Sequence, residues 1–330
     1  MGQSGLKNIY IFATGGTIAG VGHSASTSEY RAGEIALWDL MKTIPSVEHI
    51  ARVSGEQIFN VDSNELTTDH LIYLAARLDG LAQQGYDGFV ITHGTDTLDE
   101  TAFFLNLVLK TSKPVILTGA MRPSTAVSAD GPINLYQAIV LAANEAAVGQ
   151  GVLVVFSEGI YSGRDVQKAN TFRVDAFNEK DFACLGYIQN ERCYFFTRPV
   201  KRHTVNSEFS VHNGMAFPEV NVAYFSMGAE IGVLDYFAGS SQGVVIAGTG
   251  SGNFSNQWAV KIAELARKGI PVVRASRIGN GIITQNSLMD VSGNSIPGNT
   301  LPPQKAKLLL SLALTVTTDY QEIRRIFEEY

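Results

Sequence analysis

Short apolar runs without polar alternation recur along this chain, and they limit its fold more than any other feature. Ile9-Tyr10-Ile11-Phe12 is the first, and similar runs fall at 88–91, 114–117, 152–156, 244–247 and 271–273. A strand that is apolar at nearly every position must be covered on both faces, as in a parallel sheet between helices. The intervening stretches supply a helical period. Leu71, Leu74, Leu78 and Leu81 fall on one stripe, with Thr68 or Asp69 expected as the cap. A second helix is expected to open at Pro132 behind Asp130, because proline suits a first helical turn. A third is expected over 256–268, stopped by Gly269. Alternation of this kind predicts an α/β fold with a mainly parallel sheet.

At 330 residues the chain suggests about two domains. Hydrophobic residues make up 45% and charged residues 17%, enough apolar material for two cores and too little charge for disorder. The strand–helix rhythm breaks between about 196 and 219, where polar residues, Pro199 and Pro218 predict a linker. The expected division is therefore 1–196, a linker at 197–218, and 219–330. The 31 acidic residues outnumber the 25 basic ones, so no nucleic-acid partner is expected. Two cysteines cannot build a disulfide framework or a four-thiolate zinc site. No apolar run reaches the roughly 18 residues of a membrane span, and no signal-peptide core is seen at the start. Met1-Gly2 resembles a myristoylation opening, but a core strand follows almost at once, so it is read as chance. A small-molecule enzyme is the leading class.

In open parallel sheets ligands bind outside the carboxyl ends of the strands, so the residues after each run carry the chemistry. Three such loops are rich in glycine and threonine: Ala13-Thr14-Gly15-Gly16-Thr17-Ile18-Ala19-Gly20, Thr92-His93-Gly94-Thr95-Asp96-Thr97 and Thr118-Gly119-Ala120-Met121-Arg122-Pro123-Ser124-Thr125. The first is neither a dinucleotide fingerprint nor a P-loop, since its glycine spacing is wrong and no lysine follows. Gly239-Ser240-Ser241-Gln242-Gly243 matches the nucleophile-elbow pattern but precedes a strand instead of following one, so it reads as a turn. The six histidines lack ligand spacing and are read as surface or packing residues, with no metal implied. Hydroxyl nucleophiles remain, and a threonine needs a neighbouring base or cation to react near neutral pH. If the fold brings Lys168 beside Thr95 and Asp96, a Thr–Lys–Asp relay becomes chemically sensible.

The first two loops resemble the two signatures of the bacterial asparaginase/glutaminase family. The likeness continues through Gly55-Glu56-Gln57, Gly119-Ala120-Met121-Arg122-Pro123-Ser124, Ser128-Ala129-Asp130-Gly131-Pro132 and Pro303-Gln304-Lys305-Ala306-Lys307, and is nearer the type II branch. The resemblance implies two α/β domains, a larger N-terminal one with a mainly parallel sheet and a smaller C-terminal one. It implies hydrolysis of L-asparagine, with some L-glutamine, by a homotetramer built as a dimer of intimate dimers. It implies no cofactor, no membrane or nucleic-acid partner, and a periplasmic mature chain, with the cytoplasm as alternative. Residue by residue, Thr17 matches the threonine that forms the acyl intermediate, and Tyr30 the tyrosine on a mobile lid at about 19–33. Thr95, Asp96 and Lys168 match the second catalytic group. Ser63 and Asp96 match the residues that hold the substrate's α-carboxylate and α-amino groups, and Asn253 matches a residue supplied by the partner subunit.

Two positions depart from the family pattern. Asn64 stands where relatives often carry Gln or Glu, and Leu288 stands where a partner-supplied glutamate is expected. Two readings are open for Asp290: a carboxylate that takes the missing place, or a solvated loop residue. Leu288 also motivates an alternative function, an amino-acid-binding paralogue with little turnover. A nucleotide-binding α/β protein is a third class, without either nucleotide fingerprint in its support.

Overall fold

The structure is a computed structural model, and it describes residues 5–22, 30–31, 35–177, 182–290 and 295–330. Two compact units are present, residues 1–214 and 215–330. Both are α/β, with a large, mostly parallel sheet in the first and a small parallel sheet in the second.

The first unit contains strands β1 (Lys7–Gly15), β2 (Val21–Gly22), β3 (Tyr30–Arg31), β4 (Ala51–Val61), β5 (Gly88–Thr92), β6 (Val115–Thr118), β7 (Val152–Phe156), β8 (Gly159–Ser162), β9 (Cys184–Gln189) and β10 (Arg192–Phe195). Its helices are α1 (Leu37–Met41), α2 (Thr68–Ala82), α3 (Leu98–Val108) and α4 (Gly131–Ala142). Eight strands form one sheet in the order β10-β9-β8-β7-β6-β5-β1-β4. Strands β4, β1, β5, β6 and β7 run parallel, and β8, β9 and β10 add an antiparallel extension.

The apolar runs lie inside this sheet because both faces are covered. Ile9, Ile11, Val90, Ile116 and Leu153 share one buried cluster with Leu135, Ala138 and Ile139 of α4. The alternate residues Phe12 and Phe89 are equally buried, on the side where alternation places the opposite face, and their rings stack at 6.3 Å. The stripe Leu71, Leu74, Leu78 and Leu81 is buried on α2. Its cap is Thr67, one residue earlier than expected, and the Thr67 amide donates to His70 Nδ1 at 3.1 Å. Asp130 occupies the N-cap position of α4, without a side-chain capping bond, and Pro132 lies in the first turn, as the sequence predicts.

Chain order fixes where a site can form. From β1 the chain adds β4 on one side and then β5, β6 and β7 on the other. The reversal opens a crevice at the carboxyl ends of β1 and β5, the topological switch point of a doubly wound sheet.

The second unit is simpler, with β11 (Val220–Tyr224), β12 (Gly243–Gly248), β13 (Val272–Ser276) and β14 (Ser295–Pro297) all parallel and in sequence order. Helices α5 (Gly232–Ser240), α6 (Asn256–Arg267), α7 (Pro303–Ala313) and α8 (Tyr320–Glu329) accompany them. Leu234, Ile246, Trp258, Ile262 and Leu265 form a buried cluster. The α6 helix ends where expected, at Gly269 with φ 78°. Residues of the expected linker up to 214 belong with the first unit, where His203, Thr204, Ser207 and Phe209 are buried and Ser207 O accepts from Lys110 Nζ at 2.7 Å.

Candidate active site

Three loops meet at the switch point, and glycine makes the approach possible. After β1, Gly16 adopts φ 78° and ψ −173° before the 3-10 turn Thr17–Ala19. A β-carbon on Gly16 would lie 2.5 Å from Gly94 Cα, so the loops after β1 and β5 touch backbone to backbone. A β-carbon on Gly94 would in turn lie 2.7 Å from Ser63 Oγ. Thr17, Ser63 and Thr95 are thus gathered at one place, and each is buried.

Further hydrogen bonds tie each loop down. Thr14 Oγ1 donates to Thr92 O at 2.9 Å, joining the ends of β1 and β5. The Asp62 carboxylate accepts from Asn64 N at 2.9 Å and caps the 3-10 turn Ser63–Glu65, while Thr97 Oγ1 donates to Ser63 O at 2.8 Å. Asp130, at the head of α4, also accepts from Met121 N and Arg122 N, both at 2.9 Å, and so shapes the loop after β6. Thr97 is not distinguishable in the sequence, because its partner is a backbone carbonyl 34 residues away, and Asp62 acts only through the neighbouring Asn64.

His93 is a packing residue, as its isolation in the sequence suggests. It is fully buried, with Nδ1 2.7 Å from Gly94 O and Nε2 2.9 Å from Thr101 Oγ1. A carbonyl only accepts, so Nδ1 carries the proton and the Thr101 hydroxyl donates to Nε2. Burial pushes the imidazole down to about 4, leaving it neutral.

The fold supplies the juxtaposition on which the relay depends. Lys168 Nζ donates to Thr95 Oγ1 at 3.0 Å and to Asp96 Oδ1 at 2.5 Å. The other Asp96 oxygen accepts from Asn64 Nδ2 at 3.2 Å, and Asn64 Nδ2 also reaches Asp62 Oδ1 at 2.8 Å. The Lys168 hydrogen bond, followed by desolvation in the opposite sense and then the Asn64 bond, holds the Asp96 carboxyl below its usual range. The Asn64 amide thus bridges the Asp62 and Asp96 carboxylates and braces Asp96. Lys168 reaches the crevice by a route of its own: β8 runs antiparallel with Ser162 opposite Leu153, so the chain leaves β8 at the far end of the sheet and climbs back. Asp165 N and Val166 N donate to Ser162 O, and Ala169 N donates to Ala176 O, pinning both ends of that climb.

Tyr30 is paired through its backbone with Gly22, in the two-residue ladder of β2 and β3. Most of the expected lid at about 19–33 lies outside the described residues. In the second unit Asn253 sits on the loop after β12, exchanging backbone hydrogen bonds with Thr249 at 2.7 and 2.9 Å. Leu288 is 82% exposed on a turn closed by Asn286. Asp290 is not the solvated residue of the second reading: its side chain is buried beside Arg274, 3.3 Å from Nη2. Arg274 also donates to Ser251 O and Thr284 O, so one guanidinium joins the Asn253 loop to the Leu288 turn. The elbow-like stretch at 239–243 spans the end of α5 and the start of β12, and Ser241 Oγ accepts from Asn221 Nδ2 at 3.0 Å. Among the described residues no cluster of His, Cys, Asp and Glu has metal-holding geometry.

The family model described as Asparaginase, N-terminal, matches residues 8–201, and that described as Glutaminase/Asparaginase C-terminal domain matches 219–327. The chain belongs to the asparaginase/glutaminase family. It is 42% identical to L-asparaginase 2 of Escherichia coli, over 100% of this chain and 96% of that one. It is 40% identical to a glutaminase-asparaginase of Pseudomonas fluorescens, over 98% and 91%. The solved structure of a probable cytoplasmic L-asparaginase from Campylobacter jejuni superposes with a TM-score of 0.94 at 41% identity, covering 98% of this chain and all of that one. No helix among the described residues is long and apolar enough to cross a membrane.

Proposed function

We propose that this asparaginase-family chain hydrolyses L-asparagine to L-aspartate and ammonia through an ester on Thr17, with L-glutamine as a second substrate. The observation that carries the reading is the Lys168–Thr95–Asp96 contact at the switch point, beside the buried Thr17 loop. Thr17 Oγ attacks the side-chain amide carbon, and as the C–O bond forms its proton passes through ordered water to the amide nitrogen. Backbone N–H groups near Thr95 hydrogen-bond the developing oxyanion. The C–N bond then breaks, and the nitrogen leaves as ammonia after taking a proton. Water, oriented by Thr95 and the Lys168 ammonium, cleaves the ester and restores the Thr17 hydroxyl. The Asp96 carboxylate suits the substrate's α-ammonium, and the Ser63 hydroxyl suits its α-carboxylate.

The assembly proposed is a homotetramer, a dimer of intimate dimers, with Asn253 entering the neighbour's site and Tyr30 closing over the substrate. The compartment proposed is the periplasm, from the likeness to the type II branch, with the cytoplasm as alternative. Sedimentation and cell fractionation address these two points. The exposed Leu288 keeps a second reading open, an amino-acid-binding paralogue with little turnover. Ammonia release from L-asparagine and from L-glutamine separates the two: tight binding of L-asparagine without ammonia sinks the hydrolase reading.

A further inference from the structure

Gly55-Glu56-Gln57 is part of the family likeness, yet no step of the reaction above uses it. Its place in the sheet gives it a purpose. Strands β1 and β4 pair regularly from Lys7↔Ala51 to Ala13↔Gln57, and pairing resumes at Gly15↔Val61. Over that interval β1 advances from 13 to 15 while β4 advances from 57 to 61. Two extra residues are looped out of β4. The bulge preserves the in–out alternation of side chains, since its insertion equals the two-residue period of a strand.

An uninterrupted ladder would set Gly15 opposite Phe59 and carry Ser63 further along the strand by two residues, or ~7 Å at about 3.3 Å each. The bulge takes up that length. Ser63 comes level with Gly94, so close that a β-carbon there would lie 2.7 Å from Ser63 Oγ. Gly16 N donates to Val61 O at 3.3 Å, which joins the Thr17 loop to the far side of the bulge.

The Gln57 side chain spans the irregularity. Its Nε2 donates to Ala13 O at 3.2 Å and to Phe59 O at 2.6 Å. The first carbonyl belongs to the last regular pair, on the strand that leads into Thr17. The second lies within the bulge itself. One amide therefore ties the nucleophile strand to the loop-out that sets the height of Ser63. Gln57 is itself exposed, so its hydrogen bonds hold backbone in place and its stem fills no core.

We infer that Gln57 is a positioning residue for the reaction: its amide closes the β4 bulge, and the closed bulge sets Ser63 against Gly94 and Val61 against the Thr17 loop. The inference rests on the asparagine-hydrolysing reading. Gln57→Met keeps the length of the side chain and removes both donors, whereas Gln57→Lys returns donors on a stem of similar reach. The Met variant is expected to raise KM for L-asparagine roughly tenfold and to lower kcat by about threefold, the loss of two donors to fixed carbonyls. Calorimetric Kd for L-aspartate should weaken by the same factor as KM, while the thermal midpoint moves by only a few degrees. The Lys variant should return KM and Kd to within about threefold of the unmodified chain. An unchanged KM and Kd in Gln57→Met, or a loss that Lys does not reverse, overturns the inference. Absence of ammonia release from the unmodified chain would instead sink the hydrolase reading. L-aspartate binding needs no turnover, so it tests Gln57 in that event too.

Discussion

Replacing Gly16 by Ala tests whether the backbone contact between the Thr17 and Thr95 loops governs turnover. Its φ of 78° and ψ of −173° fall in a region open essentially to glycine alone. Holding alanine there costs about 1–3 kcal/mol. The added β-carbon would stand 2.5 Å from Gly94 Cα, against about 3.5–4 Å for carbons in contact. The two loops must part by ~1 Å, and overpacking of that kind adds about 1–3 kcal/mol. Stability should fall by roughly 2–6 kcal/mol in denaturant titrations, and the ~1 Å separation of Thr17 from Thr95 should lower kcat by about 10²-fold. Gly149→Ala is the control. Gly149 also has positive φ, at 72°, but an added β-carbon meets nothing within 4 Å. That variant should lose a little stability and keep its kcat. A folded Gly16→Ala enzyme releasing ammonia within about threefold of the unmodified rate would refute the argument that loop contact sets the geometry.

Thr17→Ala and Thr95→Val should each lower ammonia release by roughly 10²-fold or more, since the proposed reaction gives each a transition-state role. Lys168→Met removes the main cause of the depressed Asp96 carboxyl. The acidic limb of kcat/KM should move to higher pH in that variant, and an unmoved limb contradicts the assignment. The stability that Lys168 lends Asp96 is complete above the ordinary carboxyl range and is lost as pH falls through the lowered value. His93 titrates near 4 when folded and near 6.5 when unfolded, so stability should fall by ~3 kcal/mol as pH drops through that window. His93→Gln should flatten that dependence in pH-resolved unfolding curves. Asp290→Asn leaves the buried Arg274 guanidinium without its counter-ion and should cost about 3–5 kcal/mol of stability, whereas Leu288→Glu, on an exposed turn, should leave the melting temperature nearly unchanged.

The buried strands were legible because burial on both faces leaves an unbroken apolar run, as at Val152–Phe156. Strand β4 was not, although it is the longest at 11 residues. It lies on the sheet edge, mixes Arg52, Glu56 and Gln57 among its apolar residues, and carries Gly55 and the bulge. The antiparallel extension was hidden for a related reason. Strand β9 alternates buried Ile188 with exposed Tyr187 and Gln189 at the open side of the sheet, so no continuous run forms. At the site, Thr17 and Thr95 follow strand ends directly, where position along the chain predicts position in the crevice. Lys168 does not, because it follows an antiparallel strand and returns to the crevice over a stretch without regular structure. Its proximity to Thr95, 73 residues away in sequence, depends on the completed sheet. Asp290 failed for want of its partner: nothing local to 284–290 announces a guanidinium on β13.

The strand order has a consequence for synthesis and refolding. Strand β1 is made first but ends up between β4 and β5, so both its neighbours emerge later. At about 5–20 residues per second, the apolar segment that leads to Thr17 stays without either edge partner for several seconds on the ribosome. An unpaired apolar strand is a template for aggregation, and the pairings that cover it span long loops, which slows their closure. Yield of active enzyme after dilution from denaturant should therefore depend steeply on protein concentration. Far-ultraviolet ellipticity, built largely by local helices, should return well before ammonia release does.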